Sequence, residues 1–252
     1  MIELSVIAPI YNEEESIEAL YQAVTEALQG KVEQYELILV NDGSLDRSGF
    51  MLDELAAKDS RVRALHFARN CGQTAAIWAG MRAATGRLVA LIDADLQTDP
   101  NDIFTLMPYL REYDFANGMR VNRRDTLVKK VSSRVGNGVR NWLTGDSIYD
   151  TGCPMKLFKL EVARGFYLFN GMHRFLPTLA KMNGFKVIEV AVSHRERRFG
   201  MSKYGVFNRA FVGLMDAIVV RWLKKRAIRY EFQSERISPA HQGVGLTGGL
   251  YE

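Results

Sequence analysis

Three times within residues 1–100, an apolar run breaks off into a polar cluster, with a helix-spaced segment between one run and the next. Leu4–Pro9 gives way to Tyr11, Asn12 and Glu13, and Glu36–Val40 gives way to Asn41, Asp42, Gly43 and Ser44. Leu88–Ile92 gives way to Asp93, Ala94, Asp95, Leu96 and Gln97. Over Glu14–Leu28 the apolar residues Ile17, Leu20, Val24 and Leu28 recur at helical spacing. Phe50–Ala57 and Gln73–Ala84 read as further helices, and Val62–Phe67 as a further strand. Strand and helix alternating at this pitch predict a mostly parallel central sheet with helices on both faces. Such α/β sheets bind ligands beyond the carboxyl ends of their strands, so the three polar clusters are expected on one rim.

After residue 100 the pattern loosens. Ile103–Tyr109 reads as a helix, Phe115–Met119 as a strand, and the basic Val121–Arg134 as a loop leading into a helix. Phe158–Leu160 and Val187–Val192 read as strands, with a helix over Arg174–Met182. Phe207–Arg226 reads as an amphipathic helix, and the Gly- and Ser-rich Tyr230–Glu252 as a frayed tail. The expected division is a catalytic domain over 1–206, a basic helix over 207–230 and a flexible tail over 231–252. There is no internal repeat.

Composition narrows the class. A chain of 252 residues with 47% hydrophobic and 25% charged residues is neither intrinsically disordered nor a disulfide scaffold. Cys71 and Cys153 stand far apart in no metal-like spacing and read as reduced thiols of a cytoplasmic protein. The N-terminal residues carry no basic stretch of the kind that opens a signal peptide. The best candidate span, Phe211–Leu223, is interrupted by Asp216 and Arg221, so no membrane crossing is expected. Between His194 and Tyr230, ten Lys/Arg stand against Glu196 and Asp216. That segment carries +8 of a chain total of +4, leaving −4 on the remainder. A basic segment on an acidic body calls for an anionic partner or surface.

The Asp93–Gln97 cluster carries the strongest chemistry. Carboxylates directly after an apolar strand are costly to bury without a cation. Mg²⁺ or Mn²⁺ prefers oxygen ligands and takes one or two protein carboxylates, completing its shell with phosphate oxygens and water. The cluster therefore reads as a clamp for a divalent metal and a diphosphate. Asp99 before Pro100 is also a good helix start. Asp42, at the end of its strand, suits hydrogen bonds from a nucleobase or ribose, with an Asx-turn before Gly43 as the local alternative. Pro9, Tyr11 and Glu13 would wall the base, or simply pack their loop.

These segments resemble a known family. Val6–Glu14, Val40–Asp46, Asn70–Gly72 and Asp93–Pro100 together resemble the family 2 glycosyltransferases of the GT-A fold. Leu96-Gln97-Thr98-Asp99-Pro100, Gly118–Arg120, Asp150–Cys153 and Arg197–Gly205 narrow the resemblance to the dolichol-phosphate mannose synthase branch, which moves a sugar from a nucleotide donor to a polyprenyl phosphate. The likeness covers roughly residues 1–225. It implies that Pro9, Tyr11, Glu13 and Asp42 contact the nucleotide and that Asp93, Asp95 and Gln97 hold metal and diphosphate. It implies that Arg120 and Arg197 touch donor or acceptor phosphate, with Ser202 and Lys203 in the same motif. Where the family often carries Arg four residues before Ser, this chain has Lys129 before Ser133, which keeps the charge without bidentate geometry.

The chemistry agrees. A phosphate monoester acceptor is already anionic and needs little from a general base, so the absence of a compelling His base is consistent. His66, His173 and His194 read as structural, and Asp150 as a structural residue before Gly152. Direct attack would invert the anomeric centre. Phe207, Phe211, Leu214, Met215, Ile218 and Trp222 fall on one helical stripe ending at Lys224–Arg226 and Arg229. A Trp beside basic residues suits a bilayer interface; the same stripe would also suit packing on the catalytic domain. The expected setting is the cytoplasmic membrane face, bound peripherally to an anionic surface, through an integral-membrane partner or as a homo-oligomer. Nucleic acid is not expected as a partner. Two rival functions stay open: a family 2 enzyme acting on a saccharide or other acceptor, and a non-catalytic nucleotide-sugar-binding membrane scaffold.

Overall fold

The computed structural model describes residues 1–120, 138, 140–193 and 206–226, the last helix with side chains from residue 213. Among the described residues, seven strands form one sheet: β1 (Leu4–Ile10), β2 (Tyr35–Asn41), β3 (Val62–His66), β4 (Leu88–Leu91), β5 (Phe115–Arg120), β6 (Lys156–Lys159) and β7 (Val187–Val192). Their order is β3-β2-β1-β4-β6-β5-β7. All pairings are parallel except those of β6, which runs antiparallel to both β4 and β5. β2 and β4 are buried along their whole length, and β1 at every residue but Pro9. That burial is why these strands read as continuous apolar runs.

The chain winds outward from β1 through β2 to β3, then returns to place β4 on the other side of β1. This reversal opens a crevice between the ends of β1 and β4. β4 pairs with β1 only from Leu88 to Leu91, leaving Ala8, Pro9 and Ile10 without β4 partners. The carbonyl of Ile7 accepts from Ile92 N on this side, and that of Ile10 accepts from Asp42 N on the β2 side. By that alternation Pro9 faces β4, and it brings no N–H to continue the ladder. The chain therefore peels away at Ile92 and enters the Asp93–Gln97 turn.

On one face, α1 (Ile17–Leu28), α2 (Ser48–Lys58) and α4 (Asp102–Leu106) enclose a core with Leu4, Val6, Leu37, Leu39 and Leu157. On the other, α3 (Gln73–Ala83), α5 (Leu160–Arg164), α6 (Leu176–Met182) and α7 (Val206–Arg226) cover Ile7, Ile38, Val89 and Phe158. There the Phe115 and Phe158 rings stack at 4.9 Å between centroids. α7 buries Ala217 and Val220 in this second core, and Arg174 lies 3.7 Å from Asp216 on the docked side. The expected helix over 103–109 is α4 followed by a 3-10 turn, Met107–Arg111, where Pro108 enters. No described helix is long and apolar enough to cross a membrane.

Candidate active site

The carboxyl ends of β1, β2, β4, β5 and β7 share one rim, and the polar clusters lie there. The loops after β1 and β2 are laced together. Ser44 Oγ accepts from Asn12 N at 3.0 Å, Asn12 Oδ1 accepts from Leu45 N at 2.8 Å, and Ser48 Oγ accepts from Glu13 N at 2.9 Å. Asn12 adopts a left-handed φ of 51°, which turns the chain after Tyr11. Gly43, at φ +66°, is required twice over: a Cβ there would lie 2.5 Å from Asn70 N.

Asp42 is 3% exposed, and its carboxylate is already engaged. Oδ1 accepts from Cys71 N at 2.7 Å, and Oδ2 accepts from Gly72 N at 2.9 Å and Asn70 Nδ2 at 3.0 Å. Asp42 thus holds the 70–72 loop at the head of α3. The Asx-type turn belongs to its neighbour, with Ser44 N donating to Asn41 Oδ1 at 2.9 Å. Pro9, Tyr11 and Glu13 are half-buried on the adjoining loop, and Glu13 Oε2 accepts from Ser16 Oγ.

Asp95 is buried and accepts from Gln97 N at 3.1 Å, while Asp93 is half-exposed. Leu96, at φ 57°, gives the turn its left-handed step. Gln73, the first residue of α3, donates Nε2 to Asp93 Oδ1 at 3.1 Å. Asp99 accepts from Asn101 N at 3.0 Å just before α4, whose N-cap position is Asn101, two residues beyond the helix start that the sequence suggested at Asp99.

Arg120 ends β5. Its Nε and Nη2 each donate to Asp150 at 2.8 Å, a bidentate pair. Burial works against the guanidinium charge, but Asp150 outweighs it and, with Asp93 among the smaller contributors, raises Arg120 above its ordinary value. Lys156, the first residue of β6, is 3% exposed. Burial pulls its ammonium below the usual lysine value, against the opposing pull of Cys153, Asp150 and Asp93. Asp93, Arg120, Asp150 and Lys156 therefore share one electrostatic neighbourhood.

His173 is held through Nδ1, 2.7 Å from Thr74 Oγ1, and burial lowers its pKa to about 3, keeping it neutral. Lys129, Ser133, His194, Arg197, Ser202 and Lys203 lie outside the described residues. Sequence reading missed Gln73, Lys156 and Glu189, the β7 residue whose carboxylate accepts from Tyr149 N and Asp150 N. Gln73 carried a signal, as the first residue of a helix beginning after a loop glycine. Lys156 carried none, since a lone lysine in a short apolar run gives no hint of burial.

Hard carboxylate oxygens after β4 suit Mg²⁺ or Mn²⁺ better than a softer ion. Among the described residues no group of three or more His, Cys, Asp and Glu gathers as a full protein cage. Two carboxylates are enough for an ion that completes its shell with diphosphate oxygens and water. The donor set thus fits a metal shared with a phosphate ligand.

The model of the glycosyl transferase family 2 domain matches residues 5–165, covering the β1-to-α5 part of this rim. The chain belongs to glycosyl transferase family 2. It is 36% identical over 234 residues to the dodecaprenyl-phosphate galacturonate synthase of Rhizobium johnstonii, covering 90% of this chain and 69% of that protein. It is 37% identical over 204 residues to the undecaprenyl-phosphate 4-deoxy-4-formamido-L-arabinose transferase of Photorhabdus laumondii, covering 80% of this chain and 63% of that one. It therefore spans about two thirds of the length of these relatives. Among solved structures, it superposes on the glucosyl-3-phosphoglycerate synthase of Mycobacterium tuberculosis in complex with Mn²⁺ and UDP-glucose. The TM-score is 0.64 at 18% identity, over 87% of this chain and 79% of that one. This likeness establishes the GT-A fold. As a family 2 member with that fold, the chain is a glycosyltransferase.

Proposed function

We propose that this glycosyltransferase moves a sugar, with inversion, from a nucleoside-diphosphate sugar to a polyprenyl phosphate. The observation that carries the reading is Arg120, fixed by Asp150 at the rim and within the electrostatic reach of Asp93. A cation prepared in this way suits a reaction that must bring two phosphate-bearing substrates together. The names of the relatives, a dodecaprenyl-phosphate and an undecaprenyl-phosphate transferase, support the lipid phosphate as acceptor.

The division of labour follows from the residues. The laced loops bearing Pro9, Tyr11 and Glu13 wall the nucleotide, and Asp42 keeps the 70–72 loop in place beside it. Asp93, Asp95 and Gln97 would hold a divalent ion. Bound there, such an ion would supply Lewis-acid neutralisation of the departing nucleoside diphosphate. Arg120 offsets the repulsion between the anions and orients a phosphate. By their sequence motifs alone, Lys129, Ser133, Arg197, Ser202 and Lys203 take the remaining phosphate contacts. No side chain need deprotonate the acceptor.

A lipid acceptor also places the enzyme at a membrane. α7 turns Ala217 and Val220 inward and leaves Leu214, Met215, Ile218, Val219 and Trp222 exposed, with Arg221, Lys225 and Arg226 beside them. Trp142, 74% exposed, stands next to this face, with Arg221 at 5.7 Å over its ring. Exposed apolar surface bordered by cations suits the headgroup region of an anionic bilayer, here the cytoplasmic leaflet.

The test is transfer of radiolabelled sugar from a panel of UDP- and GDP-sugars, galacturonate and 4-deoxy-4-formamido-arabinose among them, to a short polyprenyl phosphate. It is run with Mn²⁺, with Mg²⁺ and with EDTA. Label that moves into the organic phase only with metal is the expected result. Transfer to a saccharide instead, or donor binding without turnover, would overturn the reading.

A further inference from the structure

Lys156 is a charged side chain that the reaction does not use directly, buried at 3% exposure on the short strand β6. An ammonium so enclosed is costly unless its protons are placed. Here they are placed on the backbone: Nζ donates to the carbonyl of Thr151 at 3.3 Å and to that of Cys153. These carbonyls flank Gly152, so the ammonium gathers the 150–153 turn from below. The same turn is held from the side by β7, where Glu189 accepts from Tyr149 N at 2.7 Å and from Asp150 N at 2.9 Å. Asn117 of β5 adds a bond from Nδ2 to the Asp150 carbonyl at 2.8 Å.

The turn starts at Asp150, the residue that grips Arg120. Gly152 lies directly against that grip, where a Cβ would come within 3.4 Å of Arg120 Nη2. Arg120 thus rests on a turn that is clamped between a buried cation and a carboxylate. Nε and Nη2 face Asp150, which fixes the plane of the guanidinium and the direction of its Nη1 edge.

We propose that Lys156 is a positioning residue for Arg120, acting through the Thr151 and Cys153 carbonyls to set the Asp150 carboxylate. It rests on the reading of Arg120 as a phosphate-binding residue. A neutral side chain of similar length fills the same volume but leaves both carbonyls without their donor, and the turn then no longer fixes Asp150.

Two measurements on the full chain test this. In transfer kinetics, Lys156→Met is expected to lower kcat/KM by at least about tenfold, as sub-ångström misplacement of an orienting group does. In the Arg120→Ala background, the same change is expected to cost almost nothing further. Losses that multiply in full would overturn the proposal, because a merely structural lysine acts independently of Arg120. Glu189→Gln, which loosens the other side of the turn, is run in parallel and must show the same coupling if Lys156→Met does not fold. The second measurement is the side-chain Nε–Hε signal of Arg120 in ¹⁵N–¹H spectra, assigned with Arg120→Lys. It is expected to shift and broaden in Lys156→Met, and an unmoved signal would overturn the proposal. This readout needs no substrate. A moved signal in a protein that transfers no sugar to polyprenyl phosphate would leave the positioning role standing and sink the proposed reaction.

Discussion

Gln73 Nε2 lies 3.1 Å from Asp93 Oδ1, so the first residue of α3 steadies a carboxylate supplied by the turn after β4. Thr74, the next residue, holds His173. The head of α3 thus joins the turn after β4 to the segment before α6.

Asp95→Ala removes a buried carboxylate whose bond to Gln97 N is local to the turn. Metal-dependent transfer is expected to fall at least about 100-fold, because the charge on a departing diphosphate loses its counterpart. The melting temperature should stay close to that of the parent. Unchanged turnover in the radiolabel assay would remove Asp95 from the metal site.

Asp42→Ala takes the acceptor from Cys71 N, Gly72 N and Asn70 Nδ2 together. Unsatisfied donors at a partly buried loop are expected to cost about 1–3 kcal/mol in urea unfolding. Nucleotide affinity should weaken in parallel, and Asp42→Asn should fall between parent and Ala variant in both readouts. Weakened affinity with unchanged stability would mean that Asp42 touches the nucleotide instead of holding the loop.

His173 predicts the pH dependence of stability. Its folded pKa of about 3 lies below the ordinary value of 6.5, mainly because of burial. The folded state therefore binds fewer protons than the unfolded state between these values. The resulting stabilisation is complete above pH 6.5 and is lost as pH falls towards 3. The slope from this group approaches about 1.4 kcal/mol per pH unit. Chemical denaturation from pH 7 down to pH 5 should show the parent losing stability faster than His173→Gln, and equal slopes would contradict it.

The outward face of α7 predicts a separation of binding from folding. Trp222 is 58% exposed, whereas Val220 is fully buried. Trp222→Ser is expected to reduce co-sedimentation with vesicles containing anionic lipid and to leave the melting temperature unchanged. Val220→Asp should do the reverse, lowering the melting temperature sharply. Neutralising Arg221, Lys225 and Arg226 to Gln should weaken vesicle binding by roughly 1 kcal/mol each and flatten its salt dependence.

The first half of the fold was legible because burial on both faces forces strands such as Leu37–Val40 to be continuous apolar runs, with helices spaced between them. The second half was less so. Lys156–Lys159 has only Leu157 and Phe158 between two lysines, and nothing local in four residues says that it pairs antiparallel. α5 is too short for a period to show. The Asp93–Gln97 turn announced itself through its carboxylates, but the partners of Asp42 and Arg120 lie 28–30 residues away in sequence. Such partners are chosen by tertiary packing and leave no spacing to read. α7 hid its orientation for a different reason: apolar residues occupy both its docked and its outward faces.

The reversed direction of β6 decides how the crevice is assembled. Lys156 pairs with Leu91 and Asn117, so β6 begins at the level where β4 and β5 approach the rim, and the residues before it enter the site from above. Gly118 N donates to Met155 O there at 2.9 Å. The crevice is consequently assembled from two stretches of chain that share it without being threaded through one another. One, up to Gln97, carries the loops and carboxylates; the other, with Asn117–Arg120 and Asp150–Lys156, carries the clamped arginine. A slip of β6 against β4 would therefore carry the 150–153 turn, and with it the seat of Arg120, away from the carboxylates after β4.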